Sequence, residues 1–333
     1  AVAEAVKMME EYLIGKDPRR IEHHWQALYR GGFYRGGPIL TSALSGIEQA
    51  MWDLLGKSLE TPVYQLLGGA VRERVKVYAH VGGDTTEELC TRSKALATQG
   101  FSVLKTSFAP PVAYLENQAF VESCTERFAT LRNVVGPEVD LAIDFHGRFS
   151  PAMSKRMIRA LEPYYPFFIE EPCLPGNTDA LVELRNSTTV PLATGERLFT
   201  KWGFRDLIQR QAVAILQPDL CHAGGIGEVK KIAAMAEACD LAVAPHNPLG
   251  PISLAACLQL DACTHNAFLQ EQVTLGEGYL KEPFIMEEGY IKVPQKPGLG
   301  IELDVARIKE LEYDGRWQTP RVFDDKDSSV AEW

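Results

Sequence analysis

Six short apolar stretches in the middle of this chain each end in a residue able to carry a charge or a proton. They are LAIDFHG with Asp144 and His146, FFIEEP with Glu170, PLATGE with Glu196, ILQPD with Asp219, LAVAPH with His246 and AFLQEQ with Glu271. Successive endings lie 26, 26, 23, 27 and 25 residues apart. A strand, a loop and a covering helix use about that many residues in a barrel of roughly 250 residues with eight such units. Active sites of such barrels form at the carboxyl ends of the strands, where all six endings fall.

Asp144, Glu170 and Glu196 end three successive strands, so closure into a barrel brings them to one point on the rim. Three crowded carboxylates repel one another unless a cation sits between them. A lone acid at a strand end is commonly an ion pair or a helix cap; three in consecutive register suggest a metal site. An all-oxygen donor set selects a hard ion, and Mg²⁺ fits because it keeps positions free for water and substrate. His146 follows Asp144 by two residues and points to the same side of a continuing strand. Asp219 and His246 end neighbouring strands, and a carboxylate beside a histidine orients the ring and strengthens it as a base. Glu271, if protonated, completes the ring as a hydrogen-bond donor. His23, His24, His80, His222 and His265 have no such partners and read as structural. A metal opposite a His–Asp pair suits removal of the α-proton of a carboxylate substrate, and a second histidine suits loss of a β-hydroxyl: dehydration of a hydroxy acid.

Elements that hold these residues can be read on either side. Residues 1–14 have one apolar helical face and stop at Gly15; Asp17-Pro18 opens a second helix through Arg30, and Thr41 to Lys57 form a third. GGFYRGGPIL between them lacks the ending and the preceding strand of a phosphate loop, and reads as a turn carrying Arg35. From VKVYAHV (75–81) the pattern alternates: a helix, SVLKTSF (102–108), a helix over 113–133, then strand 3 at Asp140. Near-continuous apolar strands alternating with helices mean a parallel sheet buried on both faces, and eight of them suggest a closed barrel. No G-x-G-x-x-G follows the first strand, against a dinucleotide fold; HAGGIG (222–227) follows strand 6, where its glycines let backbone approach the mouth. After Glu271 the alternation stops. PFIMEEGYIKVPQKPGLGIEL reads as short strands and turns, and KELEYDGRWQTPRVF as a polar tail, so both ends of the chain are expected to pack together as a smaller domain.

The 333 residues carry a formal charge of −10, which argues against nucleic acid and anionic membranes as partners. Seven scattered cysteines without a C-x-x-C pair suit a reducing compartment rather than disulfides or zinc. No apolar run reaches a membrane span, and the glutamates of the first helix do not suit a signal peptide. A cytoplasmic enzyme is the expectation.

The motifs GGFYRGGPIL, IEQAMWDLLGK, AIDFHGR, FIEEP, GERL, ILQPDL, HAGGI, MAEA, APHNPLGPI, LQEQ, KPGLG and SVAEW run through almost the whole chain. Together they resemble the enolase superfamily, mandelate racemase subgroup, and within it the sugar-acid dehydratases. EEP is shared widely, whereas DFHGR with APHNPLGP and LQEQ points to the dehydratases. The resemblance implies a TIM-like (β/α)7β barrel with a smaller α+β capping domain: a partial cap over residues 1–73, the barrel over 74–276, and a C-terminal segment, 277–333, returning to the cap. It implies Mg²⁺ on Asp144, Glu170 and Glu196, His246 with Asp219 as the base at C2, His146 as the acid at the C3 hydroxyl, and Glu271 on the enediolate. The implied reaction turns D-galactonate into 2-dehydro-3-deoxy-D-galactonate; another aldonate or hydroxy acid, or a non-catalytic member, is the alternative. A homo-oligomer is implied too. Lys105 matches the first lysine of the racemases' K-x-K pair, but Ser107 takes the second place, which disfavours racemisation. The family begins with antiparallel cap strands whose loop closes over the substrate; this chain begins inside the helix after them, so those strands are expected to be absent and the lid incomplete.

Overall fold

Eight short strands stand side by side and close on themselves. In chain order they are β1 (Arg74–His80), β2 (Val103–Ser107), β3 (Asp140–Asp144), β4 (Ile169–Glu170), β5 (Leu192–Thr194), β6 (Ile215–Leu216), β7 (Ala242–Val243) and β8 (Gln270–Gln272). Neighbours pair in parallel from β1 to β7, and β1 also pairs in parallel with β8, Tyr78 opposite Glu271. The remaining gap is spanned where Val243 on β7 bridges Ala267 on the approach to β8. A closed barrel has formed, not an open sheet. This computed structural model describes residues 1–107, 112–312, 322–324 and 327–332. Phe108 of the expected second strand, residues 313–321 of the polar tail and Trp333 lie outside the described residues.

The period of two along a strand builds the site. Tyr78, Val103, Ala142, Phe168, Ala193, Ile215, Ala244 and Leu269, one from each strand or its immediate flank, form an apolar cluster inside the barrel. Two residues further on stand His80, Lys105, Asp144, Glu170, Gly195, Gln217, His246 and Glu271. An apolar floor therefore lies under a polar mouth. Only β5 is out of phase, since its acid is Glu196 rather than residue 195. Gly195 has φ +148°, and a Cβ there would lie 2.8 Å from the Gln217 nitrogen, so only glycine lets the chain turn and deliver Glu196 one residue late.

Helices α1 (Val2–Leu13), α2 (Ile21–Gly31), α3 (Pro38–Ser58) and α4 (Val63–Leu66) precede the barrel. Helix α2 starts four residues after Asp17, because that carboxylate instead accepts from the Arg19 backbone N–H and pairs with the Arg19 side chain, a local turn that competes with capping. Helix α3 starts at Pro38, ahead of Thr41, with proline in its first turn. Around the barrel run α5 (Thr86–Thr98), α6 (Gln118–Val135), α7 (Pro151–Leu161), α8 (Thr178–Asn186), α9 (Thr200–Gln209), α10 (Ile226–Glu237) and α11 (Pro251–Ala262). HAGGIG joins the two parts. Glu48 of α3 accepts from the Ile226 and Gly227 N–H groups at the start of α10, both at 2.7 Å, where the helix dipole favours an anion. A Cβ on Gly225, at φ +91°, would meet the Glu48 carboxylate at 2.1 Å. Trp25 of α2 donates to the Gly224 carbonyl nearby.

The chain beyond the barrel divides three ways. Strands β9 (Met286–Glu287) and β10 (Tyr290–Lys292) form a hairpin, and β10 pairs antiparallel with the first half of β1. Gly298 and Leu299 dock on α3 and α4, bonding Thr61, Val63 and the Asp53 carboxylate, and α12 (Val305–Glu310) follows. Further on, Phe323 and Val330 form an antiparallel bridge, and the described residues beside them line a cavity with Tyr114, Arg148 and Asn177. Around residue 298 the chain lies against α3 and α4, while β10 extends the pairing of β1. Among the described residues no helix is long and apolar enough to cross a membrane.

Candidate active site

Asp144, Glu170 and Glu196 converge as the strand register requires: each offers an oxygen, and these all lie within 4.8 Å of one another. Asp144 and Glu170 are buried at 3% and 0% exposure. Burial pushes both carboxyls up, and Glu196 rises to about 8, again through burial, with Glu171, Glu170 and Asp144 adding repulsion. Glu170 Oε1 is buried without a hydrogen-bond partner. An unpaired lone pair among three crowded carboxylates is the surrounding a hard divalent cation relieves, so these residues fit a metal site.

Across the mouth, Asp219 and His246 form a bridge between adjacent strand ends, and Asp219 Oδ2 lies 2.8 Å from His246 Nδ1. The other Asp219 oxygen accepts from the Cys221 N–H at 2.7 Å. That pairing leaves Nε2 facing the mouth, 3.1 Å from Glu196 Oε2 and 3.9 Å from Glu271 Oε2. Burial opposes charge on this ring, but Glu271, Asp219 and Glu196 outweigh it and push its pKa up to about 10. His146 stands on the opposite side, Nε2 3.0 Å from Asp144 Oδ2, with its N–H on Asp144 Oδ1 at 2.7 Å. Its φ of +50° and that of Gly147, +64°, turn the chain sharply off β3. Arg197 fixes the turn by donating to the His146 carbonyl at 3.0 Å while pairing with Glu171. Burial first, then Arg148 and Lys105, hold His146 down to about 4.

Two residues left without a role by the sequence complete the ring. Lys105, fully buried, donates to Glu170 Oε2 at 2.6 Å and lies 2.8 Å from Glu271 Oε1 and 3.8 Å from Asp144 Oδ2. His80, expected to lack a partner, bonds Glu271 Oε1 through Nε2. Its partner lies 191 residues away, so only the β1–β8 closure reveals it; the one available signal was its place two residues beyond Tyr78. These contacts correct the expectation of a neutral, donating Glu271. Lys105, His246 and His80 overcome burial and hold its carboxyl well below the usual range, and Asn247 N–H donates to Oε2 at 2.6 Å. In this arrangement Glu271 is an acceptor. Ser107 is the exposed end of β2. His24 and His222 have structural partners, Tyr12 and Ser42, and Arg35 closes a turn between α2 and α3 onto Gly32.

The geometry can be set beside known proteins. Residues 88–307 match the family model described as enolase C-terminal domain-like, and residues 1–68 that of the mandelate racemase / muconate lactonizing enzyme N-terminal domain. Over 343 aligned positions, covering 100% of this chain and 90% of the relative, the sequence is 47% identical to a D-galactonate dehydratase of Ralstonia nicotianae. A mandelate racemase/muconate lactonizing enzyme-like protein of Rubrobacter xylanophilus superposes with TM-score 0.90 at 35% identity, over 94% of this chain and 88% of that one. The mandelate racemase/muconate lactonizing enzyme of Jannaschia sp. CCS1 does so with TM-score 0.90 at 31% identity, over 95% and 86%. Members of this superfamily use a divalent metal, and three converging carboxylates, two buried and Glu196 partly so, stand at the carboxyl ends of the strands. The chain belongs to the enolase superfamily, with both domains of its mandelate racemase / muconate lactonizing enzyme branch.

Proposed function

We propose that the chain is a hydro-lyase that dehydrates a sugar acid, with D-galactonate as substrate and 2-dehydro-3-deoxy-D-galactonate as product. The observation that carries this reading is the opposition of two imidazoles across one patch of carboxylates, His246 with Asp219 behind it and His146 beyond β3. The 47% identity to the Ralstonia dehydratase supports the substrate.

Asp144, Glu170 and Glu196 would hold Mg²⁺, the hard ion that an all-oxygen set prefers. When bound, the cation supplies positive charge that stabilises the substrate carboxylate as its α-proton is lost. His246 takes the C2 proton on Nε2 while Asp219 holds Nδ1–H and so fixes the tautomer. The raised pKa belongs to a ring facing uncompensated Glu271 and Glu196, and a cation held by Glu196 would offset part of that pull and favour the neutral ring that accepts the proton. The electron pair of the broken C2–H bond becomes the C2–C3 double bond as the C3–O bond breaks. His146 gives its proton to the departing hydroxyl, which leaves as water. The local cations work against a charged His146, and the negative charge of the substrate works for it. The enol then loses the C2 hydroxyl proton and gains one at C3, giving the 2-keto-3-deoxy acid. Glu271 is assigned to holding Lys105 at the carboxylate end of the substrate. We assign residues 1–73 to a partial cap, 74–276 to the barrel and 277–333 to a C-terminal segment. A cytoplasmic homo-oligomer completes the proposal, supported by seven free cysteines and by the family resemblance.

The test is incubation with a panel of aldonic acids and Mg²⁺, with and without chelator, scoring 2-keto-3-deoxy acid. Chelator-sensitive product from galactonate alone is expected. Product from another acid keeps the chemistry and replaces the substrate. No product, together with no exchange of the C2 proton in heavy water, overturns the proposal.

A further inference from the structure

The carboxylate that orients His246 is itself held by one peptide group, and that peptide is held from a helix outside the barrel. Asp219 Oδ1 accepts from the Cys221 N–H at 2.7 Å. The other end of the same peptide unit is the Leu220 carbonyl, which accepts from Gln49 Nε2 of α3 at 2.9 Å, 171 residues away in sequence. A carbonyl oxygen only accepts, so the amino group of the Gln49 side chain is the part turned toward it; the same nitrogen lies 3.6 Å from Cys221 Sγ. Gln49 is 4% exposed, and Leu220 and Asp219 are fully buried, so bulk solvent does not compete for these bonds. A peptide is planar, with its C=O and N–H pointing in opposite directions. Gripping the oxygen therefore fixes the direction of the N–H, and turning the plane breaks both bonds at once. The path continues from Asp219 Oδ2 to His246 Nδ1 at 2.8 Å, and hydrogen bonds joined in this way polarise one another in a low-dielectric interior.

Helix α3 also touches the rest of this loop, but farther from the site. Ser42 bonds the His222 ring at 2.7 Å, the Gly224 N–H donates to Ser45 Oγ at 2.9 Å, and Glu48 accepts from Ile226 and Gly227. Steps of three and four put Ser42, Ser45 and Gln49 on one face of the helix, and Gln49 falls at the end of that face beside Asp219. An apolar side chain of the same length would fill the space but leave the buried Leu220 carbonyl without this donor. The position therefore calls for the bond and not for the packing. We propose that Gln49 is a positioning residue for the base: it acts on His246 through the 220–221 peptide and Asp219, and so sets the direction of Nε2 toward C2. The proposal rests on the reading of His246 as the base and adds to it a control exerted from outside the barrel.

The experiment compares the full chain with four variants. Gln49→Met keeps the volume and removes the donor; Ser45→Ala removes a bond between the same helix and the same loop, away from Asp219; Asp219→Ala and its combination with Gln49→Met complete a cycle. Exchange of the galactonate C2 proton in heavy water, kcat and KM with Mg²⁺, and melting temperature are measured for each, and the His246 Nδ1 proton resonance is followed by NMR on histidine-labelled protein. Gln49→Met is expected to lower exchange and kcat roughly tenfold to a hundredfold with KM nearly unchanged, and to move the Nδ1 resonance; Ser45→Ala is expected to do neither. Once Asp219 is gone, Gln49→Met should cost less than roughly twofold more, because the two act as one path. The full loss persisting without Asp219, or Ser45→Ala matching Gln49→Met, overturns the proposal. If Gln49→Met does not fold, Gln49→Asn, whose amide falls one methylene short of Leu220, is judged by the same outcomes. If the full chain exchanges the C2 proton of no aldonate, the reading of the base is what fails. The Nδ1 resonance, which needs no substrate, then decides the Gln49 path alone, and a resonance that Gln49→Met leaves unmoved overturns it.

Discussion

The two halves of the barrel mouth use the same side chains to opposite ends. On the β3–β5 side, carboxylates crowd together with few donors, and burial drives their pKa values up. On the β6–β8 side, each carboxylate meets donors supplied by the protein: Asp219 has Cys221 N–H and His246, and Glu271 has Asn247 N–H, Lys105 and His80. One half is short of positive charge and the other carries its own. The lesson is that a carboxylate's role is set by how many donors fold around it: the poor arc suits a cation from solution, and the saturated arc suits orienting a base.

The sharpest way to break this comparison is at the base. His246→Asn should lower C2 proton exchange roughly 10²–10⁴-fold, the range of a lost general base, while leaving Mg²⁺ affinity nearly intact; equal loss of both would mean that the arcs are not separable. Lys105 pairs with a carboxylate on each side, so Lys105→Met should cost about 3–5 kcal/mol by leaving Glu170 and Glu271 with a lost partner, read by denaturant unfolding. A stability loss under 1 kcal/mol there would show that the buried carboxylates protonate instead. Mg²⁺ at a hundredfold excess over its dissociation constant should stabilise the protein by about 2.7 kcal/mol, and Asp144→Asn should abolish most of that gain in a thermal melt.

A smaller effect sharpens the rule away from the site. Asp261, at the end of α11, is buried with neither oxygen hydrogen-bonded, and burial pushes its pKa up to about 8. The folded chain therefore holds this proton in a range where the unfolded chain has released it. Stability should fall as pH rises from the ordinary carboxylate range through about 8, by up to about 1.4 kcal/mol per pH unit. Asp261→Asn should flatten that slope; an unchanged slope would assign it to other groups.

Much of the site was legible because two periods coincide. The spacing of 23–27 residues marks the barrel units, and the step of two from Ala142 to Asp144, Phe168 to Glu170 and Leu269 to Glu271 carries the apolar floor up into the mouth. What escaped is what depends on partners far along the chain. His80 acquires its meaning from a residue on β8, and the three donors around Glu271 come from β1, β2 and the loop after β7. HAGGIG suggested a close approach of backbone, but the approaching group, Glu48, lies in a helix some 180 residues earlier. Local boundaries slipped where side chains compete with the helix for backbone N–H groups, as at Asp17.

The pairing of β1 has a further consequence for how this molecule is made. Its second half needs β8, at residues 270–272, and its first half needs β10, at residues 290–292. During synthesis at roughly 5–20 residues per second, β1 emerges about 10–40 s before either of these partners exists. Over that interval one edge of the nascent sheet stays open, a template for any other extended chain. Closure is an event of very high sequence separation, and such contacts form late. The growing chain is therefore most exposed to misassembly until β8 and β10 have emerged, and a deletion that removes β10 would leave the first half of β1 without its partner.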